Sequence, residues 1–592
     1  MTPSVTPRRR LGIDSTTLAL LVPTLGVLCG YVLYPSLRTL AQSVWQEGHL
    51  SLIHYRTFFD RTHPANLEAL WHSLSLSLGS VLLSALIGVP LAFIFTRYDF
   101  PGRRLFAALS VLPMALPPLV GVLSFYFLYG ESGLIPRGLQ ALLHLERVPF
   151  AIDGVAAVLV VHAYTLYPYY YLFVSGALQG LDPAVEEAAY NLGASSLGVL
   201  TRVLLPLLTP ALIGASLLVF MTSMASFSAP YIFAGSYRVL SVQIYHSKVN
   251  NQMDLAITQT VVLSLFSILF LLLLRWYSGR RRYAMAGKGV ARPRQPLARG
   301  WQRWLVGGVG ILAVIILLLP HLTILLMSFV KDGTWTWQVL PPQYTLENYT
   351  GLARAFAEFQ SSLFHAPIAI FPDRPPRVPR LLQPVVSSLW MSTLATAGNF
   401  FFGLLVAYLL AKRKFRGKAA VDVLAMLPWA LPGTVIAMNL LVVFNQPTWL
   451  AGGRILAGTV WLLPLAYFIR HIPLVVRSTH AALEQLDDSL EEAARSLGAT
   501  WFYAFRRVTL PLVLPGVLAG TLLAYVSALG EFVSSIMLYT VHNRPISIEI
   551  LAKLRDFHFG SAAAYSVLLT GLIAGALWFS SKVLKVRESV VV

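Results

Sequence analysis

Two pairs of adjacent carboxylates, Glu186-Glu187 and Glu491-Glu492, are the first residues whose type and spacing could do chemistry. Paired acids can serve as general acid and general base. Neighbours on a helix point to different faces, so each pair suits surface contact better than a shared catalytic centre. A second group of polar residues stands inside strongly apolar runs: His162, Ser226, Asn399, Asn439, Arg470, His471 and Glu531. In such surroundings a polar side chain marks either a pathway or a hydrogen bond between helices. For His162 and the two amides the interhelical bond is the stronger expectation. For Glu531, whose repeat mate is Ser226, pathway lining and structural pairing stand level, and Ser226, Glu531, Asn399 and Asn439 are the candidate pathway residues. Arg470 falls in the inner half of its run and Glu531 in the outer half of its own, which separates them in depth and leaves them unpaired.

No enzyme signature accompanies these residues. There is no Walker A loop, so the chain does not itself hydrolyse ATP. There is no His-Glu-x-x-His and no Cys-x-x-Cys, and a single cysteine, Cys29, excludes an internal disulfide or a cysteine metal cluster. Gly308-Val309-Gly310 imitates a dinucleotide-binding fingerprint, but it sits in an apolar run with no strand before it, where small residues serve helix packing. The expectation is no catalytic residue, no metal site and no cofactor of the chain's own.

The elements that must position these residues follow from composition. The 592 residues are 56% hydrophobic and 12% charged, against about 25% charged in soluble domains. Only a bilayer accommodates so much apolar surface. About twelve runs of spanning length are legible, at 17–40, 68–95, 105–129, 152–175, 207–233, 256–275, 304–329, 385–411, 419–444, 456–476, 511–538 and 561–583. The net charge of +19 is concentrated between these runs. Arg8 to Arg10, Arg97 to Arg104, the nine basic residues from Arg275 to Arg303, and Lys412 to Lys418 all fall on one side of the alternating spans. That is the cytoplasmic side by the positive-inside rule, which places both termini inside and sets aside a nucleic-acid partner. The expected fold class is therefore an all-α membrane protein.

Residues 181–210 and 486–515 align without gaps at an offset of 305, with fifteen of thirty positions identical. Upstream, Phe100, Gly102, Pro113 and Pro117 match Phe415, Gly417, Pro428 and Pro432 at an offset of 315. The chain thus reads as two parallel six-span modules, 1–275 and 304–592, with cores at about 68–275 and 385–583. A basic linker over 276–303 joins them. The downstream block predicts a cytoplasmic helix–turn–helix in each half: Asp182-Pro183 starts a helix, Gly193 ends it, and a second helix over about 195–204 leads back toward Pro206 and the membrane. Ala188, Ala189, Ala493 and Ala494 are short enough to let a partner surface approach closely.

This block resembles the coupling-loop signature of bacterial ABC importer permeases: Glu-Ala-Ala, three residues, Gly, nine residues, aliphatic, any residue, Leu-Pro. The first copy supplies Glu187-Ala188-Ala189, Gly193 and Val203-Leu204-Leu205-Pro206. The second supplies Glu492-Ala493-Ala494, Gly498 and Val508-Thr509-Leu510-Pro511. Valine stands where the family often has isoleucine. The resemblance implies two type I importer modules with Glu186, Glu187, Ala188, Ala189, Gly193, Pro206, Glu491, Glu492, Ala493, Ala494, Gly498 and Pro511 in the loops that engage ATPases. It further implies two ABC ATPase subunits, with their ATP and Mg, on the cytoplasmic face, a periplasmic or lipid-anchored solute-binding protein on the other, and a bacterial inner membrane. Transport would proceed by alternating access. Fused twin modules of this kind resemble permeases for ferric iron, thiamine and phosphonates. The run Leu529-Gly530-Glu531-Phe532 looks most like the iron branch, with polyamine or anion import left open. An ion-coupled secondary transporter also uses twelve spans, but has no use for a duplicated cytoplasmic hairpin. The segment 330–384, with eight prolines, is long for a connection and reads as either a docking surface or a tolerated insertion.

Overall fold

The computed structural model describes residues 14–583 apart from 47, 63, 281–294, 297–299, 336–337 and 366–377. Arg8 to Arg10, most of the 276–303 linker and part of the 330–384 segment lie outside the described residues. Among those described, strand is confined to two-residue pairings: Trp45–Gln46 with His49–Leu50, and Tyr98–Asp99 with Gln295–Pro296. Everything else of regular structure is helix.

In the first half the helices used below are α1 (Ser15–Val44), α2 (Ala65–Arg97), α3 (Pro118–Tyr129), α4 (Gly154–Gln179), α5 (Pro183–Asn191), α6 (Ser196–Met224), α7 (Ser228–Phe233), α8 (Leu240–Val249) and α9 (Met253–Arg280), beside the short helices Ile53–Phe58, Arg103–Leu109 and Leu134–Leu142. The second half holds α10 (Gly300–Met327), α11 (Glu347–His365), α12 (Gln383–Lys412), α13 (Lys418–Ala430), α14 (Gly433–Phe444), α15 (Leu462–Glu484), α16 (Asp488–Ser496), α17 (Trp501–Leu529), α18 (Val533–Leu538), α19 (Ile546–Arg555) and α20 (Phe559–Val583). Among the described residues ten helices are long and apolar enough to cross a membrane, or eleven if α13 and α14, bent by 108°, form one broken span. Their outward faces are apolar, as with Leu78, Leu82 and Leu86 on α2, the surface a lipid solvent requires.

Five of the twelve expected runs differ from straight spans; those at 207–233 and 511–538 break at the site described below, and the other three are as follows. The runs at 105–129 and 419–444 are both broken at the repeated prolines. Pro117 precedes α3 and Pro432 precedes α14, each in an extended conformation that ends the helix before it. The run at 456–476 becomes α15, displaced toward the C-terminus; Arg470, His471, Arg477, His480 and Glu484 make it the least apolar of the core helices.

Inside each half a long helix pair packs at van der Waals contact through one glycine. A Cβ on Gly88 of α2 would lie 2.5 Å from the Tyr167 carbonyl oxygen of α4; one on Gly403 of α12 would lie 2.6 Å from Val475 of α15. The two glycines are 315 residues apart, the offset of the upstream repeat. The halves are tied by an exchange of their leading helices. α1 lies on the second half, where the Tyr31 hydroxyl donates to the Leu450 carbonyl at 2.8 Å and Arg413 pairs with Asp14 at 3.0 Å. α10 lies on the first half, where its Leu317 carbonyl accepts from the Tyr164 hydroxyl at 2.8 Å.

Candidate functional site

Each repeated block folds as the predicted helical hairpin. Asp182 and Asp487 cap α5 and α16, accepting from the backbone N–H of Ala184 and Ser489 at 2.9 Å. The Ser489 N–H bond holds the Asp487 carboxyl below the usual carboxylate range. Gly193 and Gly498 end the helices at φ +83° and +88°, a conformation that side chains with a Cβ rarely adopt. Ser195 and Thr500 then cap the second helices, α6 and α17, whose first turns lead without interruption past Pro206 and Pro511 into the long spans. The two glutamates of each pair face opposite ways. Glu186 is 4% exposed and forms a two-pronged ion pair with Arg97 at the end of α2, one prong at 2.7 Å. Glu491 accepts from the Tyr408 hydroxyl of α12 at 2.9 Å, and Tyr408 in turn accepts from Trp501 at 2.8 Å. Glu187 and Glu492 are exposed.

Arg97, Tyr408 and Trp501 were not singled out by the sequence. One signal could have found the basic pair: Arg97 and Lys412 are separated by the same 315 residues as the upstream repeat, and Lys412 pairs with Asp488 and bonds the Leu486 carbonyl at 3.1 Å. Both halves thus fasten the hairpin to the end of the first core helix with a basic residue. The outward face carries apolar side chains with no cover: Val185, Tyr190, Leu192 and Leu197 in one hairpin, Leu490, Leu497, Phe502 and Tyr503 in the other. Leu192 and Leu497, mates in the repeat, are both 89% exposed. Ala188 and Ala493 lie beside them, also exposed, with Ala189 and Ala494 half-buried.

The polar residues of the apolar runs gather where α6 and α17 stop. Both expected spans, 207–233 and 511–538, are interrupted: α6 ends at Met224 and α17 at Leu529, and short helices α7 and α18 follow. Ser226 and Glu531 occupy the two breaks. Immediately after them, Phe227 and Phe532 are mates in the repeat and touch, with ring centroids 5.9 Å apart. Residues related by the pseudo-twofold meet only near its axis, so this contact locates the axis.

Around the first break the network is neutral. His162 contacts Ser226 through Nε2 at 2.8 Å and Ser80 through Nδ1 at 2.8 Å. Around the second it is charged, and here the structure corrects the sequence reading. Arg470 and Glu531 are paired, Nε to Oε2 at 2.8 Å. The expected separation in depth fails because α15 runs from Leu462 to Glu484 rather than over 456–476, which moves Arg470 into its first half, and because α17 stops before Glu531. Glu531 also accepts from the Ser534 N–H at 2.9 Å, capping α18. Asn439 donates to Ser36 of α1 at 3.1 Å, away from this cluster. Asn399 is 1% exposed, and neither its amide nitrogen nor its oxygen has a hydrogen-bond partner. Among the described residues no group of three or more His, Cys, Asp or Glu is placed to hold a metal ion.

Two membrane-embedded modules with matched hairpins define a permease. The family model of binding-protein-dependent transport system inner membrane components matches residues 84–283 and 399–584, so the chain belongs to that family, the membrane permeases of ABC importers. It is similar to a Sinorhizobium fredii (strain NBRC 101917 / NGR234) protein named "Probable ABC transporter permease protein y4fN", 28% identical over 92% of this chain and 92% of that one. It is also similar to the ferric transport system permease protein FbpB of Actinobacillus pleuropneumoniae, 28% identical over 84% of this chain and 68% of that one. The sulfate transport system permease protein CysT of Escherichia coli K12 is 33% identical over 35% of this chain and 78% of that one.

Proposed function

We propose that this permease imports ferric iron by alternating access, driven by two ABC ATPase subunits that dock one under each hairpin and bind the ATP and Mg. The observation that carries the docking is the pair of hairpins, each anchored inward by Glu186 or Glu491 and presenting an uncovered leucine outward. Covering each leucine supplies up to about 1.5–3 kcal/mol. Iron rests on the likeness to ferric permeases along most of the chain. The chain itself performs no covalent step. A solute-binding protein delivers the cargo to the outer face, and the basic loops put the 276–303 linker, the hairpins and both termini in the cytoplasm of a bacterial inner membrane. Modules 1–275 and 304–592 act as the two halves of the pore.

The test is co-purification. Leu192→Asp with Leu497→Asp buries a carboxylate in each docking surface, so the ATPase no longer copurifies although the permease still inserts. Retention of the ATPase by this double variant refutes the docking. Uptake of radiolabelled iron by iron-starved cells, with and without the chain, tests the cargo; equal uptake refutes iron.

A further inference from the structure

The charged pair beside the axis is only partly closed, and its open member is positive; of the other cations nearby, Arg555 lies over the Tyr231 ring and Lys248 bonds the Met537 carbonyl. Phe227 and Phe532 mark the axis, and Glu531 is the residue next to Phe532. Glu531 is committed. Its side chain is 7% exposed, one carboxylate oxygen takes the Ser534 N–H, the other faces Arg470, and its backbone carbonyl takes the hydroxyls of Ser535 and Ser547. Arg470 is not. Its side chain is 24% exposed, Nε faces Glu531, and its two terminal nitrogens have no hydrogen-bond partner among the described residues. The guanidinium abuts Gly433 at the start of α14, where a Cβ would stand 2.8 Å from one terminal nitrogen. That glycine follows the chain break at Pro432, so the backbone itself clears room for the group. The positions related by the repeat are Thr165 and Ser226. At these two positions the first half therefore supplies neither a cation nor an anion; its nearest cation in that region, Lys248 of α8, is taken by the Met537 carbonyl of α18.

We propose that Arg470 is the cargo-binding charge of the pathway, and that cargo crosses the axis as an anion or as a metal held in an anionic complex, its oxygens accepting from the terminal nitrogens of Arg470. This rests on the reading of the chain as an ATP-driven permease and gives the chemical class of its cargo. Planar guanidinium donors fit carboxylate and oxyanion oxygens in pairs. Glu531 offsets the burial of the guanidinium while occupying only its inner edge, which leaves the outer edge for cargo. A bare trivalent cation would meet the exposed positive member of the pair and find the carboxylate already bonded. A free oxyanion and a ferric ion wrapped by anionic ligands present the same oxygen atoms to this site.

The experiment uses the permease reconstituted in liposomes with its ATPase and an excess of its solute-binding protein. Radiolabelled ferric citrate and radiolabelled sulfate are the two probes, and co-purification of the ATPase is the folding control. The variants are Arg470→Gln, Arg470→Lys and the double variant Arg470→Gln/Glu531→Gln. The single glutamine variant strands a buried carboxylate and can fail to assemble. The double variant removes both charges and assembles. It is expected to lose about ten- to a hundredfold of uptake, the loss of one or more charge-assisted hydrogen bonds, while Arg470→Lys keeps an intermediate rate. Loss of ferric citrate uptake identifies a ferric complex as cargo; loss of sulfate uptake identifies a free oxyanion. A double variant that assembles and transports at the wild-type rate overturns the proposal, because the pair is then only structural. A wild-type chain that carries neither probe also overturns it. A wild-type chain that fails to retain the ATPase defeats the underlying permease reading, which is a separate result.

Discussion

Arg97→Ala should uncouple the first hairpin more severely than loss of the Tyr408 hydroxyl uncouples the second. Glu186 is nearly sealed, with a side chain 6% exposed, whereas Arg97 is 23% exposed at the end of α2. Removing the arginine takes the two-pronged partner away from a carboxylate that stays buried. Breaking a fully buried pair costs about 3–5 kcal/mol; water reaches this pair from the arginine side, so about 2–3 kcal/mol is the appropriate figure. At tenfold per 1.4 kcal/mol, the docked-to-undocked ratio of α5 falls about thirty- to a hundred-and-fifty-fold. The hairpin then no longer transmits force. Replacing both members, Arg97→Gln with Glu186→Gln, removes the buried charge and restores most of the docking. The assay is stimulation of ATPase activity by the binding protein in reconstituted vesicles, with co-purification as the control for assembly. Expected is a loss of stimulation in Arg97→Ala and its recovery in the double variant. Full stimulation in Arg97→Ala would show that α5 is held by something other than this pair, and the reasoning would fall.

Tyr408→Phe removes a hydrogen bond to Glu491 and strands the Trp501 N–H; a cost of about 1–3 kcal/mol should weaken, not abolish, coupling by the second hairpin, and abolition in the same vesicle assay would contradict it. Gly193→Pro or Gly498→Pro cannot adopt the positive φ of the turn and should uncouple uptake with insertion intact, whereas Gly193→Ala, which meets no neighbouring atom, should cost only about 1–3 kcal/mol of backbone strain; vesicle uptake at wild-type level in both proline variants counts against the hairpins as the coupling element. The Asp487 cap has a lowered carboxyl pKa, so its contribution is present above the ordinary aspartate pKa and is lost as pH falls through the lowered value; ATPase co-purification should therefore hold constant from pH 8 to pH 5, and a decline over that range that Asp487→Asn abolishes would refute the cap. A cysteine at position 288, on a Cys29→Ser background, should resist an impermeant reagent in intact cells, and labelling there would reverse the proposed topology. Deleting 357–380 should reduce stimulation by the binding protein with insertion intact, if the outer segment docks it; unchanged stimulation at every binding-protein concentration makes the segment an insertion.

The hairpins were legible because their chemistry is local. A capping aspartate, a glycine at the turn and a proline re-entering the span are each read within a few residues, and the duplication removed chance. The broken spans were half legible: the repeat flagged Pro117 and Pro432, but hydropathy alone drew a straight run through them. What local reading could not reach was anything set by packing. Arg97 meets Glu186 across 89 positions, and nothing near either residue in sequence announces it. Arg470 and Glu531 were separated by assuming continuous helices of constant rise. A displaced start at Leu462 and a break after Leu529 brought them to the same end.

The two halves agree away from the axis and differ in the charges beside it, and a fused chain explains why both can hold. Features away from the axis, exposed or buried, keep to the repeat: Gly193 with Gly498, Leu192 with Leu497, Gly88 with Gly403, and the serines Ser73 and Ser388, which accept from the N–H of Leu240 and Ile546 at 2.8 Å in each half. On the axis, Ser226 faces His162 where Glu531 faces Arg470. A homodimer of one module would have to place every axial charge twice, a few ångströms apart, in a medium of low dielectric where like charges repel strongly. Two Arg470 guanidinium groups converging there would each need a buried carboxylate of its own, and the desolvation penalty would double. Joining the modules in one chain removes that constraint. One half can carry a single arginine with its single counter-ion, while the other supplies hydroxyls and an imidazole that ask for no compensation.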